Sequence, residues 1–437
     1  MYLPTVILNC ISRLESAGFS CYAVGGCVRD ACLGITPQDY DLCTNATPDI
    51  LCNLFSDHTL VLSGLKHGTV GVVTSEGVVE ITTFRTEGSY TDSRHPDWVE
   101  FVGTIEEDLA RRDFTVNAMA YSPTRGYADP FDGRGDLRNG ILRAVGEPAK
   151  RFEEDALRIL RGVRFAVRFH LQPEAETKSA MFALSSKLEN IAVERIFDEL
   201  WKLLPLVTAQ DLQTYAPIFT QIIPELSPTV GFDQHSPHHE YDIYTHTAYV
   251  TQAVAPDPIL RWAALLHDVG KVPTFTQDST GRGHFYGHAQ VGAKMADEIL
   301  CRLKAPKAMR EQVVFLIAHH MQEFSAEKPL LRRWLSRYSE EPLRRLLSLQ
   351  QADYTSKGVA GEEADYSQIF LLLEEIIEEN GCLSLSDLAV NGHDLMALGL
   401  SGKDVGTSLN RLLQLVLEEK LPNEKPALLQ AIKEDLP

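Results

Sequence analysis

Asp39 and Asp41 stand one residue apart in the stretch AVGGCVRDACLGITPQDYDLCT, downstream of the glycine pair Gly25–Gly26. In a strand, side chains two apart share a face. If DYDL is a strand, both carboxylates project together and repel unless cations lie between them. Hard divalent ions with oxygen ligands are the usual solution, and two such ions about 4 Å apart suit in-line phosphoryl displacement. Gly25 and Gly26 permit a phosphate to approach backbone N–H groups just before a helix start. Arg29, in the first turn of that helix, adds positive charge for the same phosphates. VVEITTFR offers Glu80 as a third carboxylate on another strand-like run, where a solvated strand residue would look the same. A second constellation lies far downstream: His246, His267–Asp268 in LLHDVGK, His288, His319–His320 in IAHHM, and Asp353. Imidazole and carboxylate donors on successive helical segments suit a divalent transition metal.

The elements that must position these residues change character along the 437-residue chain. CYAVGG, DYDLCT, TVGVVTS, VVEITTF and WVEFVG read as short strands between turn residues. From about residue 150 apolar residues recur every three to four positions, the helical period. The expected fold class is α+β: a small α/β head followed by an elongated all-helical remainder. Four segments are expected: a head over 1–140, a neck over 141–205, a body over 206–360 holding the histidine constellation at about 240–355, and a tail over 361–437. The start reads as an amphipathic helix with Val6, Ile7, Leu8, Ile11 and Leu14 on roughly one side, not as a signal peptide. No apolar run reaches 18 residues, so no membrane partner is expected. Eight irregularly spaced cysteines without a CxxC pair predict a reduced, cytoplasmic chain without a zinc knuckle. A net charge of −19 argues against coating nucleic acid through bulk positive field. Residues 141–205 are closer to balance, with eleven Lys/Arg against ten Asp/Glu, so RNA is best sought there.

Four motifs carry a family resemblance. GGCVRD followed by DYD resembles the head motif of the bacterial tRNA nucleotidyltransferase and poly(A) polymerase group, within the polymerase-β-like nucleotidyltransferase superfamily. ARRDFTVNAMAY (110–121) is similar to its second motif, and EEDALRILRGVRFA (153–166) to its base-selecting motif. FRTEGSYTDSRHPDWVEF (84–101) is similar to its flexible-loop segment, with His95 where a second arginine is common. The resemblance implies attack by an RNA 3′-hydroxyl on the α-phosphate of CTP or ATP, with Mg²⁺ held by Asp39 and Asp41. It also implies that Arg112, Arg161 and Arg164 line the nucleotide pocket, which Asp113 and Asn117 shape.

The base-selecting motif also has a direct physical reading. Asp155, Arg158, Arg161 and Arg164 recur every third residue on one side of a helix, with Ala156, Leu160, Val163 and Val167 on another. Cytosine and adenine both present an amino donor beside a ring-nitrogen acceptor, whereas uracil and guanine present a carbonyl beside an N–H. A carboxylate only accepts and a guanidinium only donates, so Asp155 with Arg158 can pair with C or A and reject U and G. Glu154 completes the EDALR signature. That signature, the absence of a long basic tail and a C-terminal segment resembling that of bacterial CCA-adding enzymes point to CCA addition on tRNA. Poly(A) addition is the alternative product; DNA is not expected as a partner. The order His246, His267–Asp268, Asp353, with His288 and His320, resembles the two-metal form of the HD phosphohydrolase domain. A hydrolase with a binding-only head is the rival of another class.

Overall fold

The computed structural model describes residues 1–87, 99–236, 240–358, 366–379 and 381–435. They form two compact units, residues 1–207 with 214–227, and 208–213 with 228–437.

The first unit is built on seven strands: β1 (Cys21–Val24), β2 (Asp41–Thr44), β3 (Leu60–Val61), β4 (Thr69–Thr74), β5 (Gly77–Thr83), β8 (Ala120–Ser122) and β9 (Gly126–Ala128). Their order in the sheet is β3-β4-β5-β2-β1-β8-β9. Only β2 and β5 run parallel, in the register Leu42↔Ile81, Cys43↔Thr82 and Thr44↔Thr83. A separate antiparallel pair joins β6 (Arg85–Glu87) to β7 (Val99–Phe101). The expected loop segment between them, including His95 and the rest of YTDSRHP, falls largely outside the described residues. β-Branched residues dominate β4 and β5, and Tyr22, Val24, Cys43 and Phe84 pack with Ile105, Leu109 and Val145 into one core. The first helix, Thr5–Ser16, buries Ile7, Cys10, Ile11 and Leu14, an i, i+3, i+4, i+7 stripe. Leu8 is exposed and Val6 only half-buried, so the apolar face is narrower than the sequence suggested.

Two departures from the sequence reading bear on function. β2 starts at Asp41, which leaves Asp39 in the preceding loop rather than on the strand. The helix expected across 153–169 is also broken. One helix, Pro148–Glu154, ends where Asp155 adopts φ −146° and ψ 102°, and another covers Leu157–Phe169. Asp155 causes the break locally: its carboxylate accepts the Leu157 amide at 3.0 Å, a bond that competes with helix continuation. The second helix packs on Val193–Leu203. Gly162 faces the Phe114 ring so closely that a Cβ would lie 2.9 Å from it, which fixes this helix against the RRDFTVN segment. One minimal strand pair, β10 (Ile141–Leu142) with β11 (Gln172–Pro173), lies beside it.

The second unit is helical apart from the two-residue strands β12 (Thr276–Gln277) and β13 (Gly283–His284), which form a hairpin. Among the described residues no helix is long and apolar enough to cross a membrane.

Candidate functional site

In the first unit the parallel register of β2 and β5 continues backwards from Leu42↔Ile81, so Asp41 and Glu80 are neighbours with side chains on one face of the sheet. Both are exposed, as is Asp39. Surrounding protein atoms, then Glu80, and then Asp39 push the Asp41 carboxyl above its usual range, while Arg112 draws it down. Asp41 and Glu80 are thus neighbours with Asp39 close enough to act on Asp41, and among the described residues Arg112 is the guanidinium that opposes them. That donor set fits a hard divalent cation. Arg112 pairs with the buried Asp108 at 3.3 Å, and its Nε has no hydrogen-bond partner among the described residues. Its Nη1 lies where a Cβ on Gly25 would be, 2.9 Å away, and Gly25 has φ 75°. The positive φ favours glycine there, and the absent side chain leaves room for the arginine tip.

Arg29 behaves differently from the expectation that it adds charge to bound phosphates. It is buried, donates through Nε and Nη2 to Asp30 and through Nη1 to Asn117 at 2.6 Å, and its guanidinium lies 4.3 Å over the Phe169 ring. Gly26 sits against it. The guanidinium is thereby committed to holding the pocket wall. Asn117 passes the chain on: its Nδ2 donates to Asp113 at 3.1 Å. Asp113 also accepts Arg161 Nε at 3.0 Å and Nη2 at 2.7 Å. Burial opposes ionisation of Asp113, but Arg161 and the Asn117 amide outweigh it and lower the pKa to about 2.

The base-selecting motif is tied in the same manner. Arg158 Nη1 donates to Glu154 at 2.6 Å and to the Arg151 carbonyl at 3.2 Å, and Nη2 donates to the Arg111 carbonyl at 3.2 Å. These bonds use three of five N–H groups, leaving Nε–H and one Nη2–H for a ligand. Asp155 accepts Arg195 Nη2 at 2.7 Å, and Arg164 Nε donates to Glu199 at 2.6 Å. On the charged side of the helix Arg158 and Arg164 are therefore buried, Arg161 is half-buried and Arg168 faces solvent. Arg195, Glu199 and Asp108 were not singled out from the sequence. Their signals were the i, i+4 spacing of Arg195 with Glu199 and the DLARR run, in which Asp108 meets Arg111 and Arg112.

In the second unit the expected ligands converge. Ligand atoms of His246, His267 and Asp268 lie within 4.8 Å of one another, as do those of Asp268, His288 and His320, so Asp268 is common to both groups. His246 Nε2 is 2.9 Å from Asp353 Oδ1, and His288 Nε2 is 3.2 Å from His320 Nε2. Each imidazole is oriented from behind through Nδ1, to the carbonyls of Ser356 at 3.2 Å, Ala264 at 2.8 Å, Phe285 at 2.8 Å and Ile317 at 2.7 Å. A proton fixed on Nδ1 leaves Nε2 as a lone-pair donor aimed inwards, the arrangement found behind metal-binding histidines. His267 Nε2 lies 3.2 Å from Asp268 Oδ2 yet has no well-aligned hydrogen bond, an orphaned buried donor atom that a metal would use. Burial, and then the nearby His267, lower the His320 pKa to about 4, which keeps this ring neutral. His319 turns away into an aromatic cluster with Phe315, Trp334 and Tyr338. Lys271, quoted in LLHDVGK but given no role, places Nζ 2.7 Å from Asp268 and donates to Gln234 at 2.8 Å. A cleft of about 260 Å³ opens onto Asp268, His288 and Asp353.

Comparison with known proteins places family domains over both units. Residues 21–143 match the Poly A polymerase head domain, 170–228 the probable RNA and SrmB-binding site of polymerase A, and 243–358 the HD domain. Together these matches imply dependence on divalent metal. A CCA-adding enzyme of Levilactobacillus brevis is 34% identical over 97% of this chain and 96% of its own length. One of Latilactobacillus sakei is 32% identical over 98% and 97%. The crystal structure of the Bacillus stearothermophilus CCA-adding enzyme in complex with CTP superposes with a TM-score of 0.71 at 27% identity, covering 100% of this chain and 99% of that one. The Thermotoga maritima enzyme complexed with tRNA shares the fold, with a TM-score of 0.64 at 20% identity.

Proposed function

The chain belongs to the family of CCA-adding enzymes, and from that premise we propose that it adds C, C and A in turn to the 3′ end of tRNA, using CTP and ATP without a nucleic-acid template. The observation that carries this reading is the pairing of Asp41 with Glu80 at the start of β2, with Asp39 close enough to act on Asp41 and Arg112 against Gly25.

Asp39 and Asp41 would hold Mg²⁺, with Glu80 as the third carboxylate beside them. When bound there, the ion neutralises charge on the triphosphate and aligns it with the RNA 3′-hydroxyl. Arg112 offers its guanidinium charge to the phosphates, and the missing side chain at Gly25 lets both come close. Asp155 contributes acceptors and Arg158 its two remaining donors, the complement of the edge that C and A share. Arg161 and Arg164, fixed by Asp113 and Glu199, keep the pocket wall positive. Because protein groups alone read the base, no template strand is needed. Addition stops at CCA instead of continuing as poly(A) in this reading. The head (1–140) then does chemistry, the neck (141–205) selects the base, and the body and tail (206–360, 361–437) carry the tRNA. Eight unpaired cysteines suit a reducing cytoplasm.

The test is a tRNA lacking its CCA end, offered each nucleoside triphosphate separately and in pairs. Two C from CTP alone, one further A when ATP joins, and no extension with UTP or GTP are expected. A long A-tract from ATP would replace this reading with poly(A) addition.

The second unit supports a second activity, metal-dependent phosphoester hydrolysis. Four histidines with Nδ1 anchored on carbonyls, plus Asp268 and Asp353, fit two divalent ions of the Mn²⁺, Ni²⁺ or Zn²⁺ kind. Bound there, the ions supply charge for a phosphate and a nucleophile for its ester bond. Asp268 would be shared between them, and Lys271 would hold it in place. Hydrolysis of a phosphomonoester by the wild-type chain with such an ion, lost on chelation, is the expected result.

A further inference from the structure

We propose that Tyr286 is a stacking platform for a planar base at the mouth of the histidine–aspartate cleft, so that the phosphoester taken there is a nucleotide and not a ringless ester. This rests on the hydrolytic reading of that cleft given above. Tyr286 is 77% exposed and lines the same cleft as Asp268, His288 and Asp353. Despite that exposure, contacts fix its orientation. Its ring lies parallel to His284, with centroids 5.3 Å apart and planes 8° apart, and its hydroxyl is 3.3 Å from His284 Nδ1. His284 Nε2 is in turn 2.9 Å from Asp278 Oδ2.

The β12–β13 hairpin carrying this stack is seated firmly. The Gly283 amide donates to the His235 carbonyl at 2.9 Å. A Cβ at Gly283 would fall 2.3 Å from the Gln234 carbonyl oxygen, so only glycine lets the hairpin close there. Gln234 is the residue that also accepts from Lys271. The chain therefore orders one face and one edge of an exposed tyrosine and leaves the other face to solvent, beside a metal-ligand cluster. A base offers a π-face whatever its identity, so such a platform binds nucleotides without choosing among them. The rest of the lining agrees. Lys271 and Lys357 supply positive charge for a phosphate, and Phe285 with the exposed Met321 supply apolar contact for a ring. The cleft, about 260 Å³ and open on one side, is of the size that takes part of a small ligand while the rest lies against its mouth.

The test compares wild type with Tyr286→Ala, Tyr286→Phe and Tyr286→Trp on two substrates, adenosine monophosphate and glycerol phosphate, with Mn²⁺ or Ni²⁺ present. CTP incorporation into tRNA serves as the folding control. Loss of one base–aromatic stack corresponds to about a ten-fold rise in KM for the nucleotide in Tyr286→Ala. The KM for glycerol phosphate should stay unchanged, and Phe and Trp should retain nucleotide affinity. An equal change for both substrates, or none for either, overturns the platform while leaving hydrolysis standing. Equilibrium dialysis of labelled adenosine monophosphate supplies the second readout. If wild type hydrolyses neither substrate, the hydrolytic reading falls and dialysis alone decides. Retention of the nucleotide about ten-fold weaker in Tyr286→Ala keeps the platform, and equal retention rejects it.

Discussion

In the first unit Asp39, Asp41 and Glu80 stand open to water at the end of a sheet. In the second unit Asp268 is buried and Asp353 nearly so, enclosed by four imidazoles. Surrounding protein atoms, and then the charges of Glu80 and Asp39, raise the Asp41 pKa against the pull of Arg112. The pKa values of the enclosed pair are instead depressed: burial opposes ionisation, but interactions with the adjoining imidazoles and, for Asp268, with Lys271 outweigh it. An open site can admit a long RNA end and a triphosphate together, and it leaves its own charge unbalanced until they and their cations arrive. An enclosed site is balanced by its own side chains and admits only a small ligand. The same chain therefore illustrates two ways of holding acidic groups close together.

Four substitutions would break or sharpen this contrast. Asp41→Asn removes a carboxylate on which charge neutralisation depends, so nucleotide incorporation should fall about a thousand-fold or more, and phosphoester hydrolysis in the second unit should stay within about two-fold. Parallel assays of both reactions on one preparation check this; loss of both would mean the two sites are not independent. His288→Gln keeps the Nδ1-side geometry poorly and removes one inward donor. Divalent binding and hydrolysis should drop about a hundred-fold with incorporation unaffected, read by metal titration and by the same paired assays.

Asp113→Asn probes the buried part of the first unit. Its folded pKa of about 2 lies below the usual carboxylate value of 3.8, so the stabilisation is present above pH 4 and is lost as pH falls through 2. The shift corresponds to about 2 kcal/mol at neutral pH. Urea unfolding should show that deficit for the mutant at pH 7 and a smaller one at pH 3. Asp155→Asn adds an amide donor where only acceptors stood, so UTP incorporation relative to CTP should rise about ten-fold. Single-nucleotide assays would read it, and unchanged selectivity would remove Asp155 from base reading.

The chemistry of both sites was legible in the sequence only through combination: DYD behind a glycine pair together with the RRDFTVN and EDALR segments, and an HD dipeptide amid spaced histidines. The helical remainder followed from apolar spacing alone. What it concealed were partners brought together only by folding. Arg195 and Glu199 lie on a helix whose packing against Leu157–Phe169 has no local signature, yet they hold Asp155 and Arg164. Arg29 looked like a phosphate ligand because it follows the glycines; its burial under Phe169 arises from a residue 140 positions away. The break at Asp155 was hidden because the apolar period runs through it unaltered, while a single side chain-to-backbone bond redirects the chain. Asp39 fell outside β2 for a similar reason, since strand pairing and not residue type sets where a strand begins.

The exposed carboxylates of the first unit should drive a bounded, template-free extension. The most direct measurement follows product length when tRNA lacking its 3′ end is incubated with CTP, ATP and Mg²⁺, comparing wild type with Asp41→Asn. Growth by three nucleotides and then arrest in wild type, with no growth in the mutant, is the predicted result. Continued extension beyond three nucleotides, or equal growth in the mutant, would contradict it.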